Sequence, residues 1–272
     1  MTSKLFFKST LLFFSLLIVS CGSSKKAIPQ LKPSADNVTL TSTSTDVTFK
    51  TGAENFESYL PLLKDKRVGI VTNQTGILEN KSKLSSEDHG VHLSKEKHLV
   101  DFLIEQNINL QKIYAPEHGF RGTADAGELI VDGKDTKTNL PIISLYGNNK
   151  KPKPEQLEGI DILVFDLQDV GARFYTYISS LHYVMEACAE NNIPLLVFDR
   201  PNPNGTIIDG PILENEHTSF VGMHEIPVLH GMTIGEYAKM INGEKWLKDS
   251  IQCDLKVAPC LNYSHDMKYS LP

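Results

Sequence analysis

From Arg67 onward, short runs that are apolar at nearly every position alternate with longer stretches whose apolar residues recur every three or four places. Arg67-Val-Gly-Ile-Val-Thr72 is the first short run. It is rich in β-branched residues and closes on the polar turn Asn73-Gln-Thr-Gly76, the pattern of a buried strand running into a loop. Lys97 to Gln106 places Leu99, Val100, Leu103 and Ile104 on one side of a helix, and Leu110 to Tyr114 follows as a strand. Pro141 to Tyr146 predicts the next strand, Lys151 to Leu157 a proline-bounded helix start, and Ile160 to Phe165 a near-continuous apolar strand. Thr176 to Glu190 then reads as a helix stopped by Asn191-Asn192, and Ile193 to Phe198 as a further strand.

Strands that are apolar along their whole length, alternating with helices, predict a Rossmann-like α/β fold: a parallel sheet covered by helices on both faces. Ligands of such open sheets bind beyond the carboxyl ends of the strands. The polar clusters of this sequence fall at those ends: Asn73-Gln74, Glu117-His118, Tyr146, the stretch Asp166 to Arg173, and Asp199-Arg200-Asn202. After Pro211 the rhythm changes. Thr233 followed by Glu236 is a capping-box signature for a helix running to Ile241, with Asn242-Gly243 closing it, and Leu255 to Ala258 predicts a last strand.

The N-terminal part follows neither rhythm. Lys4 and Lys8 precede an apolar run from Leu11 to Val19 that ends at Ser20-Cys21-Gly22, which reads as a lipoprotein signal with Cys21 as the lipidated residue. That run is shorter than the ~20 apolar residues a membrane span needs. Gly22 to about Lys50 is Ser, Thr, Lys, Pro and Asp with few large apolar side chains, too little to offset the entropy of ordering. The expected organisation is therefore a signal peptide with its lipidation cysteine over 1–21 and a tether over 22–52. A Rossmann-like catalytic domain over 53–210 follows, and 211–272 would hold the rest of that domain and the beginning of a smaller C-terminal α+β domain. An exported lipoprotein held on the outer side of a bacterial membrane is the location this implies.

Charge narrows the function. A formal net charge of −6, with no basic cluster, argues against a nucleic-acid partner. No G-x-G-x-x-G follows the first strand and no P-loop is present, so a dinucleotide cofactor lacks its phosphate cradle and no cofactor is implied. No G-x-S-x-G elbow offers a serine nucleophile. Cys188, Cys253 and Cys260 match no zinc or redox spacing; Cys188 reads as buried, and Cys253 with Cys260 is a candidate disulfide. His118, Asp166, Asp169, Asp199 and His230 offer metal-ligating groups at the strand ends, but without a compact ligand motif, and no metal is assigned.

Carboxylate chemistry fits best. Glu117, in Ala115-Pro116-Glu117-His118-Gly119, stands on a tight turn after a strand, followed by Arg121. Glycoside hydrolysis uses a general-acid carboxyl and often a second carboxylate as base or nucleophile, for which Glu128, Asp166, Asp169 and Asp199 are available. Val170-Gly-Ala-Arg173-Phe-Tyr175-Thr-Tyr177 adds aromatic rings beside a cation, the materials for stacking on sugar faces and meeting an acidic substituent. An ordinary ion pair of Glu117 with Arg121 is the competing reading.

Five motifs in order carry a resemblance: Val-Gly-Ile-Val-Thr-Asn-Gln-Thr-Gly, Ala-Pro-Glu-His-Gly-Phe-Arg-Gly, Phe-Asp-Leu-Gln-Asp-Val-Gly-Ala-Arg-Phe-Tyr-Thr-Tyr, Asp-Arg-Pro-Asn-Pro and His-Gly-Met-Thr-Ile-Gly-Glu. Over about Tyr59 to the C-terminus the chain resembles the exo-acting β-N-acetylmuramidases, long known only as an uncharacterised domain family. The resemblance implies release of terminal N-acetylmuramic acid from peptidoglycan-derived saccharides, with the matching catalytic glutamate at Glu117. Asp169, which lies within a matching motif, is the candidate for the second catalytic carboxylate, with Glu128, Asp166 and Asp199 still open. The expected substrate shell is Asn73, His118, Arg121, Gln168, Arg173, Tyr175, Tyr177, Asp199, Arg200, Asn202 and His230, with an arginine on the lactyl carboxylate of muramic acid. The family's chains continue through a C-terminal domain that closes the cleft, most of which this 272-residue sequence is expected to lack. A muramyl-binding lipoprotein without catalysis and a metal-dependent hydrolase stay open as alternatives.

Overall fold

The structure is a computed structural model and describes residues 49–78, 97–121 and 132–272; Cys21, the rest of the signal and tether up to residue 48, and Glu128 lie outside the described residues. The apolar run after residue 66 forms strand β1, Arg67–Thr72, preceded by helix α1, Phe56–Leu63. Ile77–Leu78 (β2) and Lys97–His98 (β3) pair as a two-residue antiparallel ribbon. That pairing delays the expected helix, so α2 spans Leu99–Glu105, with His98 Nδ1 accepting the Val100 amide as its cap. The chain continues through β4 (Asn109–Ala115), β5 (Gly133–Lys134), β6 (Pro141–Ser144), the single turn α3 (Pro154–Leu157), β7 (Ile162–Asp166), α4 (Tyr177–Glu190) and β8 (Leu195–Phe198). After β8 come β9 (Ile208–Asp209), β10 (Leu229–His230), α5 (Ile234–Gly243) and β11 (Leu255–Ala258).

One sheet of seven strands runs β11-β8-β7-β1-β4-β6-β5, and every pair in it is parallel except β5 with β6. Leaving β5 aside and counting the parallel strands in chain order, the sheet reads 6-5-4-1-2-3, the doubly wound order in which the connections reverse beside the first strand. The reversal lies between β1 and β7, so Asn73 and the Leu167-Gln168-Asp169 stretch leave the sheet on either side of the switch point.

Successive strand residues face opposite sides, which is why continuous apolar runs are needed. Val68, Ile70, Ile162, Val164, Leu196 and Phe198 pack with Tyr59 and Leu63 of α1 and Leu99, Val100 and Leu103 of α2. Val71, Leu163, Phe165, Leu195 and Val197 pack on the other face with Leu181, Val184 and Met185 of α4 and Tyr237 and Ile241 of α5. The helices on both faces that the alternation predicted are thus present.

One boundary and one cysteine pairing differ from the sequence reading. Lys50 already pairs with Leu261, and Gly52 N donates to Asp199 O at 2.7 Å, with Thr51 to Glu54 buried, ahead of the expected start at residue 53. The polar composition hides this, because what docks there is backbone. Cys253 and Cys260 are free thiols: Cys253 is turned into the core, where its thiol meets that of Cys188, and Cys260 Sγ donates to Asp199 O at 3.3 Å.

Candidate active site

The turn after β4 aims Glu117. His118 and Gly119 both take left-handed backbone, at φ 71° and 75°, and Gly119 N donates to Pro116 O at 3.1 Å, so the chain reverses within a few residues of the strand. A left-handed histidine is uncommon and stores strain of the kind found at functional turns. Two hydroxyls hold the carboxylate: Tyr146 donates to Oε1 and Thr176 to Oε2, each at 3.2 Å. The Glu117 charge in turn raises the pKa of the Tyr146 phenol. Neither hydroxyl stood among the expected shell residues. Tyr146 did lie in a strand-end cluster, while Thr176 read only as the start of α4.

Behind Glu117 runs a line of side chains from the switch point. Asn73 is fully buried, with Oδ1 accepting the Thr75 amide and hydroxyl at 2.9 and 2.6 Å, and its Nδ2 donates to Tyr177 Oη at 2.6 Å. Tyr177 lies edge-on to Tyr175 at 4.8 Å and hydrogen-bonds to it. Burial raises the Tyr175 phenol, its bond to Tyr177 offsets part of this, and the charges of Asp169 and Glu117 add to the rise. Burial also drives the Tyr177 phenol far up.

Asp169 is buried and its Oδ2 accepts the Gly171 amide at 2.7 Å. His230 Nε2 lies 3.6 Å from the same oxygen, and both His230 Nε2 and Asp169 Oδ1 have no hydrogen-bond partner among the described residues. Met232 N donates to His230 Nδ1, which leaves the proton on Nε2, facing Asp169. Gly171 closes this corner with φ +76°; a Cβ there would stand 2.1 Å from Asn202 Oδ1, so only glycine fits.

The remaining expected residues hold the scaffold. Arg121 makes a bidentate pair with Asp135, both bonds 2.8 Å, with Asp101 at 3.7 Å, rather than pairing with Glu117. Arg200 is fully buried against Asp166, its Nε and Nη2 bonded at 2.6 and 2.9 Å. Arg173 Nη1 donates to the Pro211 and Ile226 carbonyls, and its amide to Val228 O, which pins the 211–228 excursion to the rim. Asp199 receives the Gly235 amide and the Thr233 hydroxyl at the start of α5, and burial raises its pKa. Asn202 bridges Met232 O and the Asn204 amide. Gln168 Nε2 donates to the Asp169 and Pro201 carbonyls. With Asp166 and Asp199 so engaged, the five groups considered for a metal do not gather. Among the described residues, only the exposed Glu214, Glu216 and His217 come within ligating distance of one another.

The fold and this rim define a Rossmann-like α/β domain whose candidate chemistry is a hydroxyl-held carboxylate after β4 and, after β7, a buried aspartate–histidine pair. Residues 68–272 match the model of the N-terminal part of the exo-β-N-acetylmuramidase NamZ, and the chain belongs to that family. It is 47% identical over 213 residues to the peptidoglycan β-N-acetylmuramidase NamZ of Bacillus subtilis (strain 168), a match covering 78% of this chain and 47% of that protein. Two crystal structures of DUF1343 family proteins from Bacteroides fragilis share the fold. One has a TM-score of 0.69 and 45% identity, covering 83% of this chain and 55% of the other; the second has 0.68 and 41%, covering 82% and 53%. The chain thus spans about half the length of the relatives it matches.

Proposed function

We propose that this chain provides the catalytic domain of a glycosidase that releases terminal β-linked N-acetylmuramic acid from peptidoglycan fragments, with Glu117 as its catalytic carboxyl group. The observation that carries the reading is the setting of Glu117: a strained turn at the carboxyl end of β4 presents it, and one hydroxyl holds each oxygen. Family membership supplies the substrate class. Glycosidic cleavage needs a carboxyl that gives a proton to the leaving oxygen and a group that meets the developing positive charge at the anomeric carbon. Glu117 takes one of these roles, and Asp169, whose Oδ1 is uncommitted among the described residues, is the candidate for the other.

The test is chromophore release from para-nitrophenyl β-N-acetylmuraminide, with the N-acetylglucosaminide as control. Turnover of the muraminide alone supports the proposal; equal turnover of both, or none of either, counts against it. The lipoprotein reading belongs here too: Cys21 after the Leu11–Val19 run supports a lipid anchor that keeps the domain at a membrane surface. Incorporation of labelled palmitate that is lost in Cys21→Ala is the expected result, and an unlabelled wild type would remove the anchor.

A further inference from the structure

N-acetylmuramic acid is N-acetylglucosamine carrying a lactyl ether, so a site that selects it has one extra carboxylate to meet. The arginines are engaged elsewhere. Of the four in the chain, Arg67 pairs with Asp161, Arg121 with Asp135 and Arg200 with Asp166, at 2.7, 2.8 and 2.6 Å. Arg173 commits its Nη1 to the Pro211 and Ile226 carbonyls. The loop from β6 into α3, however, carries Tyr146, the donor to Glu117 Oε1, and then the run Lys150-Lys-Pro-Lys153. Lys151 is neutralised by Glu186 and Glu190 at 2.7 and 2.6 Å, and Lys153 is exposed. Lys150 is half-buried and, among the described residues, has no carboxylate partner.

Packing holds its ammonium in place. Lys150 Nζ lies 4.4 Å from the centroid of the Phe220 ring, within the range over which an aromatic face attracts a cation. Phe220 is fixed from α4: its carbonyl accepts the Ser179 hydroxyl at 2.6 Å, and its ring stacks on Tyr183 at 6.0 Å with 13° between the planes. Asn149 donates from Nδ2 to Ser144 O at 2.6 Å and from its amide to Tyr146 O at 3.3 Å, which brings the loop back to the end of β6 just before Lys150. An anion arriving there meets a cation already ordered. The same two elements hold Glu117, the loop through Tyr146 and α4 through Thr176. Thr176 and Tyr183 are two helical turns apart, about 10 Å along the axis, the order of one sugar ring with its acidic arm.

Resting on the muramidase reading above, we propose that Lys150 is a specificity-determining residue of the site: its ammonium, seated on Phe220, pairs with the lactyl carboxylate of the muramyl ring being released. A glucosaminyl end has no carboxylate and forgoes the pair. Lysine acts here as a point charge, so the charge at this position matters more than the shape of the cation.

Titration of the chain with N-acetylmuramic acid and with its uncharged methyl ester, followed by NMR, tests this in wild type, Lys150→Gln, Lys150→Arg and Arg173→Gln. Wild type should bind the acid roughly tenfold tighter than the ester, the effect of one charge-assisted hydrogen bond, and salt should shrink the difference. Lys150→Gln should bring the two ligands to within about twofold by weakening the acid alone, the unchanged ester affinity reporting an intact fold. Lys150→Arg should keep most of the preference. Equal affinity of wild type for both ligands, no binding of either, an equal loss of both in Lys150→Gln, or a preference that survives that substitution overturns the assignment. Loss of the preference in Arg173→Gln alone would move the contact to that arginine. Turnover of para-nitrophenyl β-N-acetylmuraminide by wild type is scored separately. A preference that depends on Lys150 without turnover would keep the contact and reject the hydrolase; turnover with the preference intact in Lys150→Gln would do the reverse.

Discussion

A carboxyl group serves glycoside chemistry only if its plane is fixed, and at Glu117 two hydroxyls 29 and 59 residues away along the chain fix it. Both bonds are 3.2 Å, longer than the 2.7–2.8 Å typical of O–H···O, so they orient the group while leaving its lone pairs to substrate. Tyr146→Phe should therefore lower kcat about tenfold with little change in KM, the loss of one hydrogen bond that matters most when charge moves; an unchanged kcat would show that Tyr146 is a bystander. The Arg200–Asp166 pair is the opposite case. Both residues are essentially inaccessible, so Arg200→Met leaves a buried carboxylate without its partner and should cost ~3–5 kcal/mol in denaturant unfolding. A loss below about 1 kcal/mol, with a raised KM, would make Arg200 a ligand contact instead. The turn that carries Glu117 was legible, because proline before and glycine after mark a sharp exit from a strand. The engagement of Arg121, Arg173 and Arg200 was not: Asp135, Pro211, Ile226 and Asp166 are 14, 38, 53 and 34 residues from their arginines, and no local pattern encodes such pairing.

At the scale of elements, apolar runs and caps carried most of the information. β11 matches the predicted strand at both ends, and α5 starts where the Thr233–Glu236 box requires, with Thr233 N on Glu236 Oε2 and Glu236 N on Thr233 Oγ1. The two-residue strands β2, β3, β5, β9 and β10 have no periodicity to read. Nor does sequence betray the buried chain between α4 and α5, in which His182 Nδ1 meets His224 Nε2 at 2.9 Å and His224 Nδ1 meets Tyr237 Oη at 2.8 Å, with Trp246 stacked on His224 at 4.5 Å. His182 also faces Glu186 at 3.6 Å, itself paired with Lys151. Burial lowers the pKa of both histidines, that of His224 to about 3. The unfolded chain takes up protons at these rings near pH 6.5 and the folded one does not, so stability is full above about pH 6.5 and falls as pH drops towards 3. The midpoint of thermal unfolding should decline over that window, and His224→Gln should flatten the slope. An equally steep decline in the variant would place the acid sensitivity elsewhere.

For the molecule as a whole, the doubly wound order turns local signals into a site. Asn73, Glu117 and Asp169 leave three different strands, yet β7, β1 and β4 are adjacent, so their polar ends meet on one rim. That convergence was predictable once the strands were read as parallel. The pairing of Lys50 with Leu261, which brings the two ends of the described chain together beside Pro201, was not.

In the proposed reaction Glu117 performs chemistry rather than binding. Turnover of para-nitrophenyl β-N-acetylmuraminide by Glu117→Gln, measured beside its affinity for N-acetylmuramic acid, addresses it directly. We predict a loss of kcat of at least a thousandfold, ~4 kcal/mol of transition-state stabilisation, with ligand affinity within a few fold of wild type. Turnover retained in the variant, or a loss traceable entirely to lost binding, would remove Glu117 from the chemical step.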